Sequence, residues 1–269
     1  MPELRQAAQD VESHPDDLQA LKKLLDAGTG SLGGARPKAS VQDGSRLAIA
    51  KFPHQGDDWS VIAWEAATLR LAEAAGITVP RHQFLRLSTT DPVLVLDRFD
   101  RRREARIAYA SAMTMLQQRD GSHADYLDLL DVIDEHSENP TRDREELFRR
   151  IAFNIAVNNT DDHLRNHGFL RGRSGWALSP AFDVNPNPDI AAGRKTAVDG
   201  ASTKEEAMVA LRKNAGYFLP LARQLPVLSQ LVRAMSGWRE AAAACGISTS
   251  EQGLFAPLFR NLPHVLPDF

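Results

Sequence analysis

The amino-acid sequence predicts an α+β fold with two lobes, a small mixed lobe over residues 1–97 and a larger, mainly helical lobe over residues 98–269. Up to residue 97, a helical pattern and a glycine-rich stretch are followed by strand-like runs and one further helix. Beyond residue 105, apolar residues recur at spacings of three and four, which is typical of helices that pack on one face. The change of pattern near residues 97 to 104 indicates the boundary between the lobes.

The composition is that of a globular protein, with 43% hydrophobic and 25% charged residues among 269. A formal net charge of −3 does not favour a general nucleic-acid binder. The single cysteine, Cys245, excludes an internal disulfide bond and fits a reducing compartment. The polar N-terminus lacks the apolar core of a signal peptide, and no apolar run is long enough to span a membrane. We therefore expect a soluble, cytoplasmic protein.

Four elements are predicted in the small lobe. Residues 15–27 carry a leucine stripe at helical spacing. The stretch "KASV" and the strand over 46–52 read as a hairpin joined through Asp43-Gly44. A second helix is predicted over 57–76, with acidic residues at its start and Gly76 as its stop. A short apolar strand over 92–99 follows.

The larger lobe is predicted to be helical on both sides of a short hairpin. The stretches "DYLDLLDVIDEH" and "TRDREELFRRIAFNIAVNN" have helical periodicity. The runs "GFL" and "WAL" flank "RGRSG" and predict the hairpin, which the irregular stretch "LSPAFDVNPNP" follows. The rest of the chain is predicted to be helical from Ser202, which forms a capping box with Glu205.

Gly28, Gly30 and Gly33 form the pattern G-x-G-x-x-G. In a dinucleotide-binding fold this pattern follows a strand and opens a helix, whereas here it follows a helical pattern and precedes strands. A glycine-rich loop that leads into strands is instead typical of the loop that covers ATP phosphates in kinases. The alternative is a flexible linker.

Lys51 and Glu65 are predicted to form an ion pair. Strand alternation puts Lys51 on the same face as Leu47 and Ile49, and Glu65 lies on the apolar stripe of the following helix. A carboxylate on a packing face is costly unless it is paired, and a strand lysine paired with a helix glutamate orients ATP phosphates in kinases. The alternative is two unrelated surface charges. The stripe residues around Glu65 are Val61, Thr68, Leu69 and Ala72.

The stretch "NNTDDHLRNHGFL" places Asp161 five residues before Asn166, the spacing of the kinase pattern D-x-x-x-x-N. In that chemistry the aspartate accepts a proton from the substrate hydroxyl and the asparagine holds a metal ion. Asp183, across the predicted hairpin, is the candidate for a second metal ligand, and these oxygen donors suit Mg²⁺. The alternative is that the aspartates only form turns.

The other polar residues of this region are expected to have mainly structural roles. Asp162 is expected to be a solvated neighbour of Asp161, with a smaller chance of being the base in its place. His163 and His167 are expected to bond loop backbone rather than a metal ion. An arginine run is interpreted as a solvated segment between the lobes rather than a basic patch. Its members are Arg98, Arg101, Arg102, Arg103 and Arg106.

Taken together, the stretches "SLGGARPKASV", "AKFP", "WEAATLRLAEAAGITVP", "VLDRFDR", "NNTDDHLRNHGFL" and "LSPAFDV" resemble the HipA-type serine/threonine kinases, the toxins of bacterial toxin–antitoxin pairs. The resemblance runs from about Gly28 to Pro188 and more loosely to the C-terminus. It implies a two-lobed kinase-like fold related to the phosphoinositide kinases, with ATP as phosphoryl donor and Mg²⁺ as cofactor.

The resemblance also implies roles for individual residues. Asp161 would be the catalytic aspartate, and Asn166 and Asp183 would bind magnesium. Phosphorylation of the protein by itself would occur at Ser31 or Thr29, where a phosphate would inhibit ATP binding. The ATP site would be formed by Lys51, Glu65, Gly33, Gly34 and His163, with the backbone of Asp97 and Phe99 beside adenine.

The partners implied are a protein substrate, by family an aminoacyl-tRNA synthetase, and an antitoxin of helix-turn-helix type. Family members carry an N-terminal subdomain before the glycine-rich loop, whereas here that loop begins at Gly28. We therefore expect that a separate small protein supplies this subdomain or that the chain works without it. Two alternatives stay open: a small-molecule kinase of aminoglycoside-phosphotransferase type, and a non-catalytic nucleotide-binding module.

Overall fold

The structure is a computed structural model, which describes residues 36–43, 46–54, 56–86, 92–102, 105–119 and 121–260. The predicted helix over 15–27 and the glycine-rich stretch lie outside these residues. The described residues divide into two compact units. The first takes in residues up to Ala66 together with Pro80–Arg106, and the second takes in Ala67–Val79 and residues from Ile107 onward. The predicted lobe boundary after residue 97 stays a prediction.

A four-stranded antiparallel sheet forms the centre of the first unit. Its strands are β1 (Lys38–Asp43), β2 (Arg46–Lys51), β3 (His82–Arg86) and β4 (Pro92–Asp97), in the order β1-β2-β4-β3. β1 and β2 pair as the predicted hairpin, with Asp43 opposite Arg46. Two short strands, β5 (Arg101–Arg102) and β6 (Ala105–Arg106), pair with each other.

One face of this sheet carries an apolar cluster, and Lys51 points to the other face. Residues paired across neighbouring strands lie on the same side, and side chains alternate along each strand. Lys51 is paired with Leu94, whereas Ala50 is paired with Val95 and belongs to the cluster. The buried members of the cluster are Ala39, Ala48, Ala50, Phe52, Val93 and Val95.

Helix α1 covers Val61–Ala74, inside the predicted range of 57–76. The acidic residues Asp57 and Asp58 precede the helix instead of lying in its first turn, so that detail of the prediction was wrong. The predicted stop is confirmed, because Gly76 has a positive φ of 81° and the N–H of Ile77 donates to the carbonyl of Ala72.

The second unit is mainly helical, and α4 is its most buried helix. Leu147, Phe148 and Ile151 of α4 are completely buried. The helices are α2 (Ala112–Met115), α3 (Asp128–His136), α4 (Pro140–Ala156), α5 (Lys204–Phe218), α6 (Leu221–Ser236), α7 (Trp238–Ala244) and α8 (Thr249–Phe259). Within the residues described, no helix is long and apolar enough to cross a membrane.

Two small sheets accompany these helices. One has the order β10-β9-β7, from β7 (Tyr109–Ser111), β9 (Gly168–Arg171) and β10 (Trp176–Leu178). Its antiparallel β9–β10 pair is the predicted hairpin. The other pairs β8 (Ala124–Asp125) in parallel with β11 (Thr196–Ala197). The mixture of helices and strands confirms the predicted α+β class.

The start of α5 differs from the prediction by one residue. Thr203, not Ser202, is the N-cap, and its Oγ1 accepts the backbone N–H of Glu206 at 3.3 Å. Lys204 at the first helical position is buried, and its ammonium donates to the carbonyls of Ala156 and Leu258 at 2.8 and 2.9 Å. Thr203 and Glu206 thus form a capping box of the same kind as the predicted one, one residue later.

Candidate active site

Lys51 and Glu65 form a buried ion pair within the first unit. Lys51 ends β2 and Glu65 lies in the second turn of α1. Their side chains are 9% and 3% exposed, and Nζ lies 2.5 Å from Oε1. Two charges at this depth are tolerated only when each compensates the other. The predicted pairing is therefore present, and the role of the pair toward ATP stays a prediction.

The loop of the second unit that carries Asp161 begins where α4 ends. Asn158 has a left-handed φ of 56°, and the N–H of Asn159 donates to the carbonyl of Asn154 at 2.8 Å. This is a Schellman ending with asparagine in the place that glycine usually takes. The Asn158 amide donates to the carbonyls of Asn187 and Asp189, both at 2.8 Å. The chain is thus turned sharply at a fixed point before Asp161.

Asp162 anchors the loop from inside the second unit. The residue is 4% exposed, and its Oδ2 accepts hydrogen bonds from the Tyr126 hydroxyl and from the Asn154 amide at 2.6 Å. The same oxygen lies 3.0 Å from Nε2 of His167, whose ring meets that of Tyr126 edge to face. The backbone carbonyl of Asp162 accepts the hydroxyl of Thr196 at 2.6 Å. The expectation that Asp162 is solvated was wrong.

These contacts keep Asp162 ionised. Burial alone raises the pKa of a carboxyl group, but the charge of His167 and hydrogen bonds from His167 and Tyr126 bring the pKa of Asp162 below its ordinary value. Burial, together with the negative charge of Asp162, raises the pKa of Tyr126 well above its ordinary value. At physiological pH the hydroxyl of Tyr126 therefore stays protonated and donates, and the carboxylate of Asp162 stays ionised and accepts.

Asp161 has the opposite environment. Its side chain is 67% exposed, and Oδ1 contacts the ammonium of Lys195, whose side chain is 58% exposed. Asp161 is thus free to meet a substrate group, whereas Asp162 is enclosed. Of the two adjacent carboxylates, only Asp161 can act as a base toward a molecule that arrives from solvent.

Asn166 and Asp183 are the residues predicted to bind a metal ion, and that role stays a prediction. The Asn166 side chain turns its Nδ2 toward the carbonyl of Asp161 at 3.4 Å, which directs its oxygen the other way. Asp183 is half-buried and has a left-handed φ of 56°, a conformation that aspartate adopts more readily than most residues. An amide oxygen and a carboxylate suit Mg²⁺, which binds few protein ligands and retains waters. In the described residues, no three His, Cys, Asp or Glu side chains cluster as metal ligands.

The two histidines of the loop differ from the expectation that they bond loop backbone. Nε2 of His167 contacts the Asp162 carboxylate instead. Nδ1 of His163 is buried and has no hydrogen-bond partner among the described residues. The predicted place of His163 in an ATP site stays a prediction.

The arginine run is not a simple solvated segment. Arg98 donates to Asp100 at 2.6 Å, and Arg101 contacts the same carboxylate. Although burial opposes ionisation of Asp100, the hydrogen bond and charge of Arg98 lower the pKa of Asp100. Both arginine side chains are at most 21% exposed. One carboxylate therefore offsets part of the charge of these two arginines, whereas Arg102 and Arg106 are exposed.

Asp97, whose backbone is predicted to lie beside adenine, has partners within the first unit for its N–H and its carboxylate. The backbone N–H of Asp97 already donates to the carbonyl of Arg81 at 2.8 Å, and its carboxylate pairs with Arg46 at 2.6 Å. A cavity of about 270 Å³ lies beside Asp97 and Ala48. It opens on the face of the sheet that carries the apolar cluster, opposite Lys51, so it is not the predicted phosphate site. Ser31, Thr29, Gly33 and Gly34 lie outside the described residues.

Sequence reasoning missed the residues that hold the loop from a distance. Tyr126 and Asn154 bind Asp162, and Arg194, buried at 7% exposure, points its Nη1 toward the carbonyls of Asn154 and Asn159, both at 3.4 Å. Asn154 carries a usable signal, since a polar residue on the apolar face of a predicted helix needs a partner. Tyr126 and Arg194 carry no such signal, because their contacts are 36 and 35 residues away along the chain.

Comparison with solved structures identifies the fold as kinase-like. The HipA–HipB toxin–antitoxin complex of Shewanella oneidensis MR-1 with operator DNA contains a chain that matches with a TM-score of 0.68 at 18% identity, covering 97% of this chain and 70% of that chain. The proinflammatory kinase CtkA of Helicobacter pylori matches with a TM-score of 0.57 at 12% identity, covering 86% and 91% of the two chains.

The chain belongs to the family of HipA-like C-terminal domains, whose sequence model matches residues 30–252. It is 28% identical over 144 residues to an inferred kinase of Haemophilus influenzae and 25% identical over 200 residues to an inferred kinase of Sinorhizobium fredii. These matches cover 47% and 65% of this chain. They cover 42% and 44% of the relatives, so the chain spans less than half the length of either.

Proposed function

We propose that the protein is an ATP- and Mg²⁺-dependent serine/threonine protein kinase. The observation that carries the proposal is Asp161, an exposed carboxylate on a loop that buried Asp162 and its donors hold in place. The buried pair of Lys51 and Glu65 supports it, because a strand lysine paired with a helix glutamate is the arrangement that binds ATP phosphates in kinases. The kinase-like fold and the two kinase relatives point the same way.

Each residue then has a definite task. Asp161 accepts the proton of a serine or threonine hydroxyl and keeps that oxygen directed at the terminal phosphate. Lys51, oriented by Glu65, binds phosphate oxygens of ATP. Asn166 and Asp183 hold Mg²⁺, which when bound supplies positive charge to the phosphate oxygens. The anchored loop keeps Asp161 in place during the reaction, so that little reorganisation is needed.

A regulatory and cellular setting extends this proposal. Phosphate on Ser31 or Thr29 would place negative charge where ATP phosphates must enter, and it would therefore inhibit the kinase. The Shewanella oneidensis structure contains HipA together with HipB and operator DNA. By analogy, we propose a toxin controlled by an antitoxin of helix-turn-helix type or by a small partner protein. Its target would be a protein of translation, such as an aminoacyl-tRNA synthetase.

Incubation of the purified protein with Mg-ATP, followed by intact-mass and peptide mass spectrometry, tests the proposal. We expect phosphate on Ser31 or Thr29 of the wild type and none on Asp161→Asn. Binding of ATP by Asp161→Asn would show that the loss lies in transfer rather than folding. A wild type that binds no ATP would contradict the proposal, and equal phosphorylation of both proteins would remove Asp161 from the mechanism.

A further inference from the structure

A short segment of the second unit runs beside the loop that carries Asp161. The backbone N–H of Lys195 donates to the carbonyl of Thr160 at 3.0 Å. On either side of it, the Thr196 hydroxyl donates to the carbonyl of Asp162 at 2.6 Å, and Arg194 points to the carbonyl of Asn159 at 3.4 Å. Three consecutive residues thus contact the loop, and the position of Lys195 relative to Asp161 is fixed by backbone.

The side chain of Lys195 reaches the candidate base itself. Its ammonium contacts Oδ1 of Asp161, with more than half of both side chains exposed. An ion pair this exposed contributes little to stability. A group that gives its proton to Asp161 must lie within hydrogen-bond distance of that carboxylate. The ammonium of Lys195 is therefore next to the position of the reacting hydroxyl.

We propose that Lys195 is a further catalytic residue, which contacts the phosphoryl group during its transfer; this rests on the proposed kinase function. The hydroxyl oxygen of the substrate forms a bond to the terminal phosphorus, and the bond from phosphorus to the bridging oxygen breaks. ADP leaves with that electron pair, and the hydroxyl proton passes to Asp161. Lys195 keeps its proton throughout, directs Asp161 before the reaction and donates to the transferring phosphoryl oxygens during it.

Three variants test this role in the full chain. Lys195→Met removes the charge, Lys195→Arg keeps it, and Lys213→Met is the matched control. Lys213 is also an exposed lysine paired with an aspartate, with Nζ 3.1 Å from Asp199 and side-chain exposures of 74% and 40%, but it lies on α5 and its partner is not a residue of the loop. Transfer is measured from Mg-ATP labelled in the γ-phosphate, both to the protein itself and to casein.

Lys195→Met is expected to lower the rate at saturating Mg-ATP about 100-fold, as for removal of a single donor to the charge of a transition state. The ATP concentration for half-maximal rate and the thermal unfolding midpoint are expected to stay at the values of Lys213→Met. Lys195→Arg is expected to recover part of the rate. This split between rate and affinity separates a catalytic role from a structural one.

The outcomes distinguish the two proposals. If the wild type transfers phosphate, Asp161→Asn does not, and Lys195→Met matches Lys213→Met, then the role of Lys195 is overturned and the kinase function stands. If the wild type and Asp161→Asn are both inactive, the kinase function fails and the role of Lys195 fails with it. A lower unfolding midpoint of Lys195→Met with full recovery of rate below that midpoint would also overturn a catalytic role.

Discussion

The carboxylate of Asp161 lies mostly in solvent, whereas that of Asp162, the next residue, accepts three donors on one buried oxygen. The two adjacent aspartates therefore have different roles. An exposed carboxylate can exchange a proton with a bound molecule, and an enclosed one can only hold its neighbours. The difference follows from their contacts, since Asp162 is held by Tyr126 and Asn154 whereas the side chain of Asp161 meets only the exposed Lys195 among the described residues.

Replacing each aspartate by asparagine separates these uses. Asp161→Asn is expected to lower phosphoryl transfer at least about 100-fold, because it removes the proton acceptor. Its free energy of unfolding is expected to fall by at most about 1 kcal/mol, because only an exposed ion pair is lost. Asp162→Asn is expected to cost about 3 kcal/mol, since a buried network loses its charged acceptor. Urea denaturation of the two matched variants, with a transfer assay, measures both; equal stability losses would contradict the assignment.

The pair of Lys51 and Glu65 predicts a non-additive result. Glu65→Leu alone removes the carboxylate that lies 2.5 Å from the buried ammonium of Lys51 and is expected to cost about 3 kcal/mol of unfolding free energy. Adding Lys51→Met to that variant is expected to recover a large part of this loss, because the buried ammonium is removed as well. Both variants should lose transfer activity. Chemical denaturation of the two single variants and the double variant tests the coupling, and additive losses would refute it.

Among the elements, those predicted correctly from sequence carry their signal within a few residues. The β1–β2 hairpin, the β9–β10 hairpin and the end of α1 at Gly76 follow from alternation and from glycine. The start of α5 was misplaced by one residue because two capping boxes overlap, Ser202 with Glu205 and Thr203 with Glu206. The folded chain uses the second, and local sequence does not distinguish between them.

The same distinction applies to the candidate site. The spacings of Asp161, Asn166 and Asp183 could be predicted because the chemistry requires those residue types in that order. Which of Asp161 and Asp162 is exposed could not, because the answer depends on Tyr126 and Thr196, more than thirty positions away. Lys195 was missed for the same reason.

The C-terminus of α4 gives a prediction about the turn before the loop. Asn158 has φ of 56° and donates to two carbonyls across the loop. Asn158→Gly keeps the left-handed conformation but loses both hydrogen bonds, whereas Asn158→Ala loses the bonds and adds backbone strain. The alanine variant is therefore expected to be less stable than the glycine variant by about 1 kcal/mol. Urea denaturation of both variants measures the difference, and equal stability would show that the backbone relaxes at this point.

In the second unit, two buried cationic side chains donate to backbone carbonyls of segments that are distant along the chain. Arg194 points to carbonyls at the end of α4 and in the loop that follows it. Burial lowers the pKa of its guanidinium. Lys204 joins the end of α4 to the end of α8 through Ala156 and Leu258. Neither cation has a carboxylate as its hydrogen-bond partner at these contacts. Their desolvation cost is therefore only partly offset, and stability should depend on the protonation of Lys204.

Burial lowers the pKa of Lys204 from 10.5 to about 8, which makes this dependence measurable. Between these values the unfolded chain binds a proton at Lys204 and the folded chain does not, so stability rises with pH across that window. The gain is on the order of 3 kcal/mol, at about 1.4 kcal/mol for each pKa unit. A neutral amine retains two N–H donors for its two carbonyls, so the contacts survive deprotonation.

Urea denaturation at a series of pH values from 7.5 to 10, on wild type, Lys204→Met and Lys213→Met, measures this contribution. The wild type and Lys213→Met are expected to gain stability relative to Lys204→Met as the pH rises through about 8. All other titrating groups are common to wild type and Lys204→Met and cancel in that comparison. Parallel curves for wild type and Lys204→Met would mean that the folded protein does not bury the ammonium of Lys204 as the structure describes.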